Sequence, residues 1–184
     1  MTDVHARYLD AFPQWLRSLA DDARAFAAAL DAGVLAKDTA RRQLAGALNY
    51  LFKSLDLIPD GIEDLGFIDD AFVFRMAAAA ALGFEPEARG KDHGAALERL
   101  AADAELIREF LGPDSARLER YVAALGHGSA RGRSVDDLLG NPQLLHELFS
   151  EVRGWAAGYS APSFSRDDKN LVKLKAFLAA KLPA

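Results

Sequence analysis

Cysteine is absent from this chain of 184 residues. Its absence excludes disulfides, thiolate zinc sites and a cysteine nucleophile, and it is compatible with a reducing compartment. Runs of β-branched residues with period two are also missing, whereas apolar residues at helical spacing, many of them alanine, occur along most of the chain. We therefore predict an all-α protein.

Long uninterrupted hydrophobic runs are missing as well. The most apolar run, residues 71–82, contains Arg75 and is well short of the roughly 20 residues that span a bilayer. The N-terminal residues lack the basic-then-apolar order of a signal peptide. We therefore expect a cytoplasmic protein without a transmembrane segment. The net charge of -5 also gives no reason to expect binding to nucleic acid.

Apolar residues make up 51% of the chain and charged residues 27%, a composition that supports one sizeable core. We expect a single-domain helical bundle of about seven to nine helices around a central apolar helix at 70–82. Residues 1–125 would form the bundle. Residues 126–134 would be a flexible linker, because they contain three glycines and no large apolar residue. Residues 135–184 would form C-terminal helices docked on the same bundle.

Local signals predict where several helices begin. Pro13 suits the first turn of a helix, which would leave residues 1–12 as a separate turn or two. Asp38 can cap the next helix. Capping-box spacing predicts two further helix starts, and these involve Ser134 with Asp137 and Ser165 with Asp168.

Acidic residues are concentrated in the segment from Asp56 to Asp70. It has six acids and no base, so removing its -6 from the net charge of -5 leaves +1 for the rest. Pro59 forbids a continuous helix, and Gly66 would end the short turn that follows. The six acids are Asp56, Asp60, Glu63, Asp64, Asp69 and Asp70.

Two interpretations of these carboxylates remain open. In the first, they cap helices, close turns and balance Arg75; Asp69 would be an N-cap and Asp70 would lie in the first helical turn. In the second, four of them hold a divalent cation such as Mg²⁺ or Ca²⁺. An EF-hand is excluded, because its register would put Phe67 where the bidentate glutamate belongs. The four candidate metal ligands are Asp56, Asp60, Asp69 and Asp70.

Other chemistry-bearing residues form no complete catalytic constellation. The four histidines are far apart in sequence, and none forms a helical pair. Arg131 and Arg133 could bind an anion, although a solvated linker also explains them.

The run Tyr50-Leu-Phe-Lys-Ser-Leu-Asp-Leu-Ile-Pro-Asp60, followed by Leu65-Gly-Phe-Ile-Asp-Asp70, resembles a known family. This is the bacterial and archaeal domain of unknown function 1232, the YkvA-like family. The resemblance covers about residues 40–82 and implies a helical hairpin with an acidic turn at its tip. It implies no activity. The family usually has proline where Ser54 and Glu63 stand here, and the matching motif positions are Asp56, Pro59, Asp60, Gly66, Asp69 and Asp70.

Two functions therefore stay open. One is a non-enzymatic interaction or scaffold protein that presents the acidic turn to a protein partner. The other is a metal-binding protein or metal-dependent enzyme, with the acids as ligands and Arg75, or Arg131 and Arg133, receiving an anionic substrate. The oligomeric state is left open.

Overall fold

The computed structural model describes residues 3–184, and it confirms the predicted all-α helical bundle. A two-residue β-hairpin, which the sequence did not predict, lies between the fifth and sixth helices. The elements are α1 Asp3–Asp31, α2 Asp38–Tyr50, α3 Ile68–Phe84, α4 Ala95–Leu111, α5 Ser115–Leu125, β1 Ser129–Ala130, β2 Arg133–Ser134, α6 Val135–Gly140, α7 Pro142–Gly158 and α8 Asp168–Lys181. Short 3-10 turns occupy Pro86–Ala88 and Gly112–Asp114.

Helix α3 is the centre of the bundle. It packs most extensively on α4 and α2, and it also contacts α1 and α5. Nearly all its side chains are buried, including both aspartates of its first turn and Arg75. Because α3 is apolar on all sides, it can be buried on all sides, and four other helices enclose it.

Helix α1 is longer than predicted, because Pro13 lies inside it rather than at its start. An interior proline costs about 3 kcal/mol in a helix. The core compensates, since Leu9, Phe12 and Leu16, which flank Pro13 at helical spacing, are fully buried. The prediction of a separate turn before Pro13 is therefore wrong for residues 3–12; Met1 and Thr2 lie outside the described residues.

The predicted helix caps had mixed outcomes. Ser134 and Asp137 form the predicted capping box of α6. Asp38 is not the cap of α2, because the cap position is Lys37. The buried carboxylate of Glu85 instead accepts from the backbone N–H groups of Ala36 and Lys37, at 2.9 and 2.8 Å. A remote side chain thus fixes the backbone just before α2, while no side chain caps the helix itself.

Helix α8 begins differently from the prediction. Its cap is Asp167, whose side chain accepts from the N–H of Lys169, and not the predicted pair of Ser165 and Asp168. Ser165 instead binds the acidic segment, as described below.

The segment 126–134, predicted to be a flexible linker, contains the β-hairpin. Arg133 forms two hydrogen bonds to Glu151 of α7, at 3.0 and 2.6 Å, and Ala130 is buried. The carbonyl of Arg133 also accepts from the side-chain amide of Asn49 at 3.2 Å. These contacts join the hairpin to α2 and α7, while the mobility of the segment stays a prediction.

Candidate functional site

The loop between α2 and α3, residues 51–67, is held from inside by one buried carboxylate. The hydroxyl of Tyr50, the last residue of α2, donates to Asp69 Oδ2 at 2.6 Å. The same carboxylate oxygen accepts from the backbone N–H of Ile58 at 3.1 Å, and the Tyr50 oxygen accepts from the N–H of Leu57 at 2.8 Å. Two loop amides and one hydroxyl therefore have partners in the core, and they fix the path of the loop.

Asp69 is not the N-cap that the sequence predicted. Helix α3 begins at Ile68, its cap position is Phe67, and no side chain caps it there. Phe67 has a φ of 64°, in the left-handed region that non-glycine residues seldom adopt. Its ring packs against Trp155 and Tyr159 of the α7 region, with ring centroids 6.2 and 5.4 Å away. These ring contacts stabilise the left-handed backbone conformation of Phe67. Asp69 does not cap the helix, and its side chain points into the core.

Pro59 and Gly66 shape the two ends of the tight turn. The carbonyl of Pro59 accepts from the N–H of Ile62 at 3.1 Å, which starts the turn. Gly66 passes so close to the backbone that a Cβ there would lie 2.1 Å from the carbonyl oxygen of Asp60. Only glycine fits at this position without a backbone shift.

Gly66→Ala is therefore expected to lower the free energy of unfolding by at least about 2 kcal/mol, because the new methyl group overlaps main-chain atoms. Gly61→Ala, in the same loop, is the matched control, since a Cβ at Gly61 meets no atom within 4 Å. It should be neutral or stabilise by up to about 1 kcal/mol. Urea unfolding of both variants checks the prediction, and equal losses would contradict it.

The four predicted ligands differ strongly in burial. Asp69 and Asp70 are buried, Asp56 is partly exposed and Asp60 is exposed. Burial, together with the charges of Asp69 and Asp60, raises the pKa of Asp56 to about 7. Burial also raises the pKa of Asp69 to about 6. The pKa of Asp70 lies well above its usual range because of burial and the charges of the other three carboxylates. The loop thus brings the four acids within electrostatic reach of one another.

Two carboxylate oxygens of this group have no hydrogen-bond donor. They are the buried Oδ1 atoms of Asp56 and Asp69. Within residues 3–184, no group of three or more His, Cys, Asp or Glu side chains is arranged as a metal site. Binding of a divalent cation by these four acids stays a prediction.

A known family model matches the segment of the chain that contains this loop. Residues 40–76 match the model of a family described as Protein of unknown function (DUF1232). The match confirms the resemblance seen in the sequence, although it ends at Met76 rather than at Leu82. No curated protein and no solved structure matches the chain. The DUF1232 segment, residues 40–76, therefore contains helix α2, the loop and the first half of α3.

Arg75, near the end of the DUF1232 segment, does not pair with the acidic loop as we expected. Its Nε donates to Asp103 of α4 at 3.1 Å, and its Nη1 lies 3.5 Å from Asp22 of α1. Its guanidinium also lies over the ring of Trp15, 4.4 Å from the centroid. Asp70 precedes Arg75 by more than one helical turn, so the two side chains leave α3 in different directions. Burial lowers the pKa of Arg75 to about 10, so it stays charged at neutral pH.

Asp64 connects the DUF1232 segment to the C-terminal part of the chain. Its carboxylate accepts from Ser163 Oγ at 3.1 Å, from the N–H of Ser165 at 3.1 Å and from Ser165 Oγ at 2.7 Å. Its hydrogen bonds to Ser165 lower the pKa of Asp64. Asp64 is therefore a structural residue. The remaining loop acid, Glu63, is exposed.

Leu55 is the most exposed large apolar side chain among residues 3–184, with 79% of its surface accessible. Its helical spacing from Leu48 and Leu51 predicts an inward position on the second helix, and that prediction is wrong. Helix α2 ends at Tyr50, so Leu55 belongs to the loop of the DUF1232 segment and faces solvent. The apolar residues on either side, Phe52 and Leu57, are buried. Leu55 therefore faces solvent in the same loop as the acidic residues.

The raised pKa values predict how stability depends on pH. The folded protein holds protons on Asp56, Asp69 and Asp70 up to a higher pH than the unfolded chain does, whose aspartates titrate near about 3.9. These protons favour the folded state at low pH, and the benefit is lost as the pH rises through 6 to 7. The free energy of unfolding should therefore fall between about pH 4 and pH 7, by at most about 1.4 kcal/mol per pH unit for each proton released.

Asp56→Asn should make this decline shallower, because one titrating group and its repulsion of Asp69 are removed. Urea unfolding of both proteins in chelator-containing buffer, repeated across the pH range, measures the slopes. Asp136→Asn is the control, since Asp136 is an exposed acid on α6 that pairs with Arg42 outside the loop. Identical slopes for the wild type and Asp56→Asn would contradict the prediction.

Within residues 3–184, no helix combines the length and the apolar character that crossing a membrane requires.

Proposed function

We propose that this chain is a non-enzymatic interaction protein whose loop 51–67 presents Leu55 and the exposed acids Asp60 and Glu63 to a protein partner. The observation that carries this proposal is the 79% exposure of Leu55 on a loop that a buried carboxylate holds in place. A single exposed leucine is common on protein surfaces. What distinguishes Leu55 is that it belongs to an acidic loop whose path is fixed by buried hydrogen bonds.

Energetics favour a partner with an apolar pocket surrounded by basic residues. Burying a leucine side chain contributes about 1.5–3 kcal/mol. Little of that gain is lost to ordering the loop, because the hydrogen bonds from Leu57 and Ile58 already order it. Asp60 and Glu63 would mainly raise the rate of association with a basic surface and the selectivity for it, and would contribute less to affinity.

The experiment that tests this proposal places a photo-crosslinking amino acid at position 55 in cells that naturally produce the protein. The same amino acid at position 172 is the control, because Val172 is also an exposed apolar residue, at 66%, but lies on α8 away from the loop. A protein captured at 55 and not at 172 is then purified. Leu55→Ser should weaken its binding at least about tenfold, whereas Val172→Ser should leave it unchanged.

Two results would contradict the proposal. One is the absence of any protein crosslinked at 55 but not at 172. The other is equal affinity of the wild type and Leu55→Ser for the captured protein. Charge reversal at Asp60 and Glu63 should slow association, with a smaller effect at high salt.

A second candidate function is binding of a divalent cation, Mg²⁺ or Ca²⁺, by Asp56, Asp60, Asp69 and Asp70. The unpartnered Oδ1 atoms of Asp56 and Asp69 favour it, since hard cations bind carboxylate oxygens. Asp56 and Asp60 would have to change rotamer, because no three ligands converge within residues 3–184. The anionic-substrate role once considered for Arg75 and Arg133 loses support, because both are paired with carboxylates.

Calorimetric titration with Mg²⁺, Ca²⁺ and Mn²⁺ separates the two functions. Cation binding predicts heat and a higher melting temperature, both lost in Asp56→Asn. If the wild-type protein shows neither heat nor a higher melting temperature, cation binding is ruled out and the proposed interaction function is unaffected. We further propose that the protein acts in the bacterial cytoplasm, which the absence of cysteine and the family resemblance support.

A further inference from the structure

The C-terminal end of helix α3 is not fully covered by the rest of the bundle. The first three turns of the helix are buried, but Ala79 and Ala80 are partly exposed, and Gly83 and Phe84 are exposed. A Cβ at Gly83 would meet no atom within 4 Å, so the surface is open there. Spacings of three and four residues place these residues on one side of the helix, together with Met76. The five residues form the α3 face, which is apolar.

Phe84 forms a projection at one end of the α3 face. It is 48% exposed, and it is the one aromatic side chain among the exposed large apolar side chains of residues 3–184. The backbone that carries the ring is held in place. The N–H of Glu85 donates to the carbonyl of Ala81 at 2.9 Å, and Lys37 Nζ donates to the carbonyl of Phe84 at 2.9 Å. Because this backbone is already ordered, little conformational entropy is lost when a binding partner covers the ring.

A hollow lies on the same face, one to two helical turns before Phe84. Its volume is about 250 Å³. Met76 and Val122, each 3% exposed, are its buried lining residues, and Ala79 and Ala80 line it on the α3 side. A cavity of about 150 Å³ holds benzene, so the hollow has room for a phenylalanine ring. The ring of the same chain's Phe84 does not line it.

The charges around the α3 face have both signs and are paired within the chain. At the hollow, Arg108 donates to Glu119 at 2.7 Å and to Glu105 at 3.2 Å. Near the projecting ring, Lys37 pairs with Glu87 at 3.2 Å. A surface that carries both signs can be complementary to a rotated copy of itself, whereas a surface of one sign repels its copy. These charges therefore permit contact between two copies of the chain.

We propose that the α3 face is the contact surface of a homodimer with two-fold symmetry, in which Phe84 of each copy enters the hollow of the other. A two-fold axis uses the same surface on both copies, so that surface must carry both a projection and a matching hollow, as the α3 face does. Because the ring and the hollow lie at different heights along α3, both contacts form together only when the two helices run antiparallel. Two rings in two hollows are a small contact beside the roughly 1,600 Å² of a standard interface, so the dimer is weak, with a Kd of about 0.1 mM.

The dimer leaves the loop of the DUF1232 segment free. Phe84 ends α3, whereas the loop precedes Ile68 at the other end of the helix, about 24 Å away at a rise of 1.5 Å per residue. Each dimer therefore presents two copies of Leu55, which raises its avidity for a partner with two binding sites. The dimer does not depend on the proposed interaction, because its test measures self-association alone.

The test is a nuclear magnetic resonance dilution series of the ¹⁵N-labelled full chain, from about 1 mM to about 10 μM. We expect the rotational correlation time to fall on dilution, together with shifts of the amides on the α3 face. Phe84→Ser removes both rings from the dimer and should weaken it at least about a hundredfold. Ala80→Gln, which fills the hollow with a polar side chain, should have a similar effect. Val172→Ser and Ala176→Gln change exposed residues of α8 in the same ways, and both controls should dimerise like the wild type.

A mixture of the two α3 variants tests the reciprocal arrangement. Phe84→Ser keeps its hollow and Ala80→Gln keeps its ring, so one of the two contacts forms between them, whereas neither variant forms a contact with itself. The mixture should associate about tenfold more tightly than either variant alone. Both positions are at least partly exposed, so the variants are expected to fold, and their amide spectra verify this.

Three results would overturn the dimer. The first is a wild-type chain that stays monomeric at about 1 mM, which would leave the α3 face to a different protein. The second is a folded Phe84→Ser or Ala80→Gln variant that dimerises like the wild type. The third is a mixture that associates no more tightly than the separate variants.

Discussion

Asp69→Ala is expected to lower the free energy of unfolding by about 3 kcal/mol, because it removes the acceptor of two buried donors. The Tyr50 hydroxyl and the Ile58 N–H both donate to Asp69 Oδ2. An unsatisfied buried donor costs about 1–3 kcal/mol. Relief of the buried charge of Asp69 offsets part of the sum, which is why the expected loss is below the upper limit.

Asp69→Asn separates the hydrogen bonds from the charge. The amide keeps one oxygen for Tyr50 and Ile58, and it removes the repulsion that Asp69 exerts on Asp56 and Asp70. We therefore expect this variant to lose less than half as much stability as Asp69→Ala. Glu63→Ala, an exposed acid in the same loop, should change stability by no more than about 0.5 kcal/mol.

A double-mutant cycle with Tyr50→Phe isolates the hydroxyl–carboxylate bond. If the bond is as important as its 2.6 Å length suggests, the two losses will not add, and the coupling will exceed about 1 kcal/mol. Urea unfolding at one pH measures all four proteins. Losses that add within error, or a loss for Asp69→Ala no larger than for Glu63→Ala, would refute the structural role of Asp69.

The helices were predictable from sequence wherever one apolar stripe and one local signal agreed. Helix α6 shows this, because Ser134 and Asp137 are three residues apart and need nothing else to form their capping box. The central helix was predictable from its nearly uniform apolar composition. Only its ends differ, since Ile68 and Phe84 lie just outside the predicted range of 70–82.

Local signals failed where a distant residue took over their role. Asp38 is a residue type that caps helices, but the chain before α2 is instead fixed by Glu85, 48 residues from Lys37, which binds the N–H groups of Ala36 and Lys37. Proline is favoured in the first turn of a helix, but burial of the aromatic residues before Pro13 favours a helix that begins earlier. No rule that reads neighbouring residues can detect either effect.

The candidate site was predictable as a place but not as a set of roles. The motif spacing located the loop and identified Pro59, Gly66 and Asp69 as residues with special positions. The roles depend on depth in the core, which the sequence does not give. Asp69 and Asp64 look alike in sequence, yet one binds Tyr50 in the core and the other binds Ser165 on the surface. The exposed Leu55 was missed because it follows α2 at helical spacing.

Arg75→Met is expected to lower the free energy of unfolding by about 3 kcal/mol, because it leaves the buried carboxylate of Asp22 with less compensation. Asp22 accepts from Arg75, from Arg99 Nη2 at 2.7 Å and from Ser18 Oγ at 2.9 Å. Removing one partner of a buried ion pair costs about 3–5 kcal/mol. The two remaining donors place the expected loss at the lower end, and the methionine keeps the apolar contact with Trp15.

Asp22 and its neighbour Asp21 provide a matched comparison on one helix. Asp22 is fully buried, whereas Asp21 forms an exposed pair with Arg24 at 2.9 Å. Asp22→Ala should cost about 3 kcal/mol, since it leaves Arg75 with Asp103 alone, while Asp21→Ala should cost less than about 1 kcal/mol. Added salt should weaken the Asp21 effect but not the Asp22 effect, because ions do not screen a pair that water cannot reach.

The double variant Arg75→Met with Asp22→Ala decides between an ion-pair network and simple packing. If the loss comes from unpaired charge, removing both charges restores part of the stability, and the double variant will be at least about 1 kcal/mol more stable than the sum predicts. If the loss comes from packing, the two effects add. The distinction matters because Arg75 links α3 to both α1 and α4. A network would then fix the central helix, whose first turn contains Asp69, and with it the base of the loop that carries Leu55.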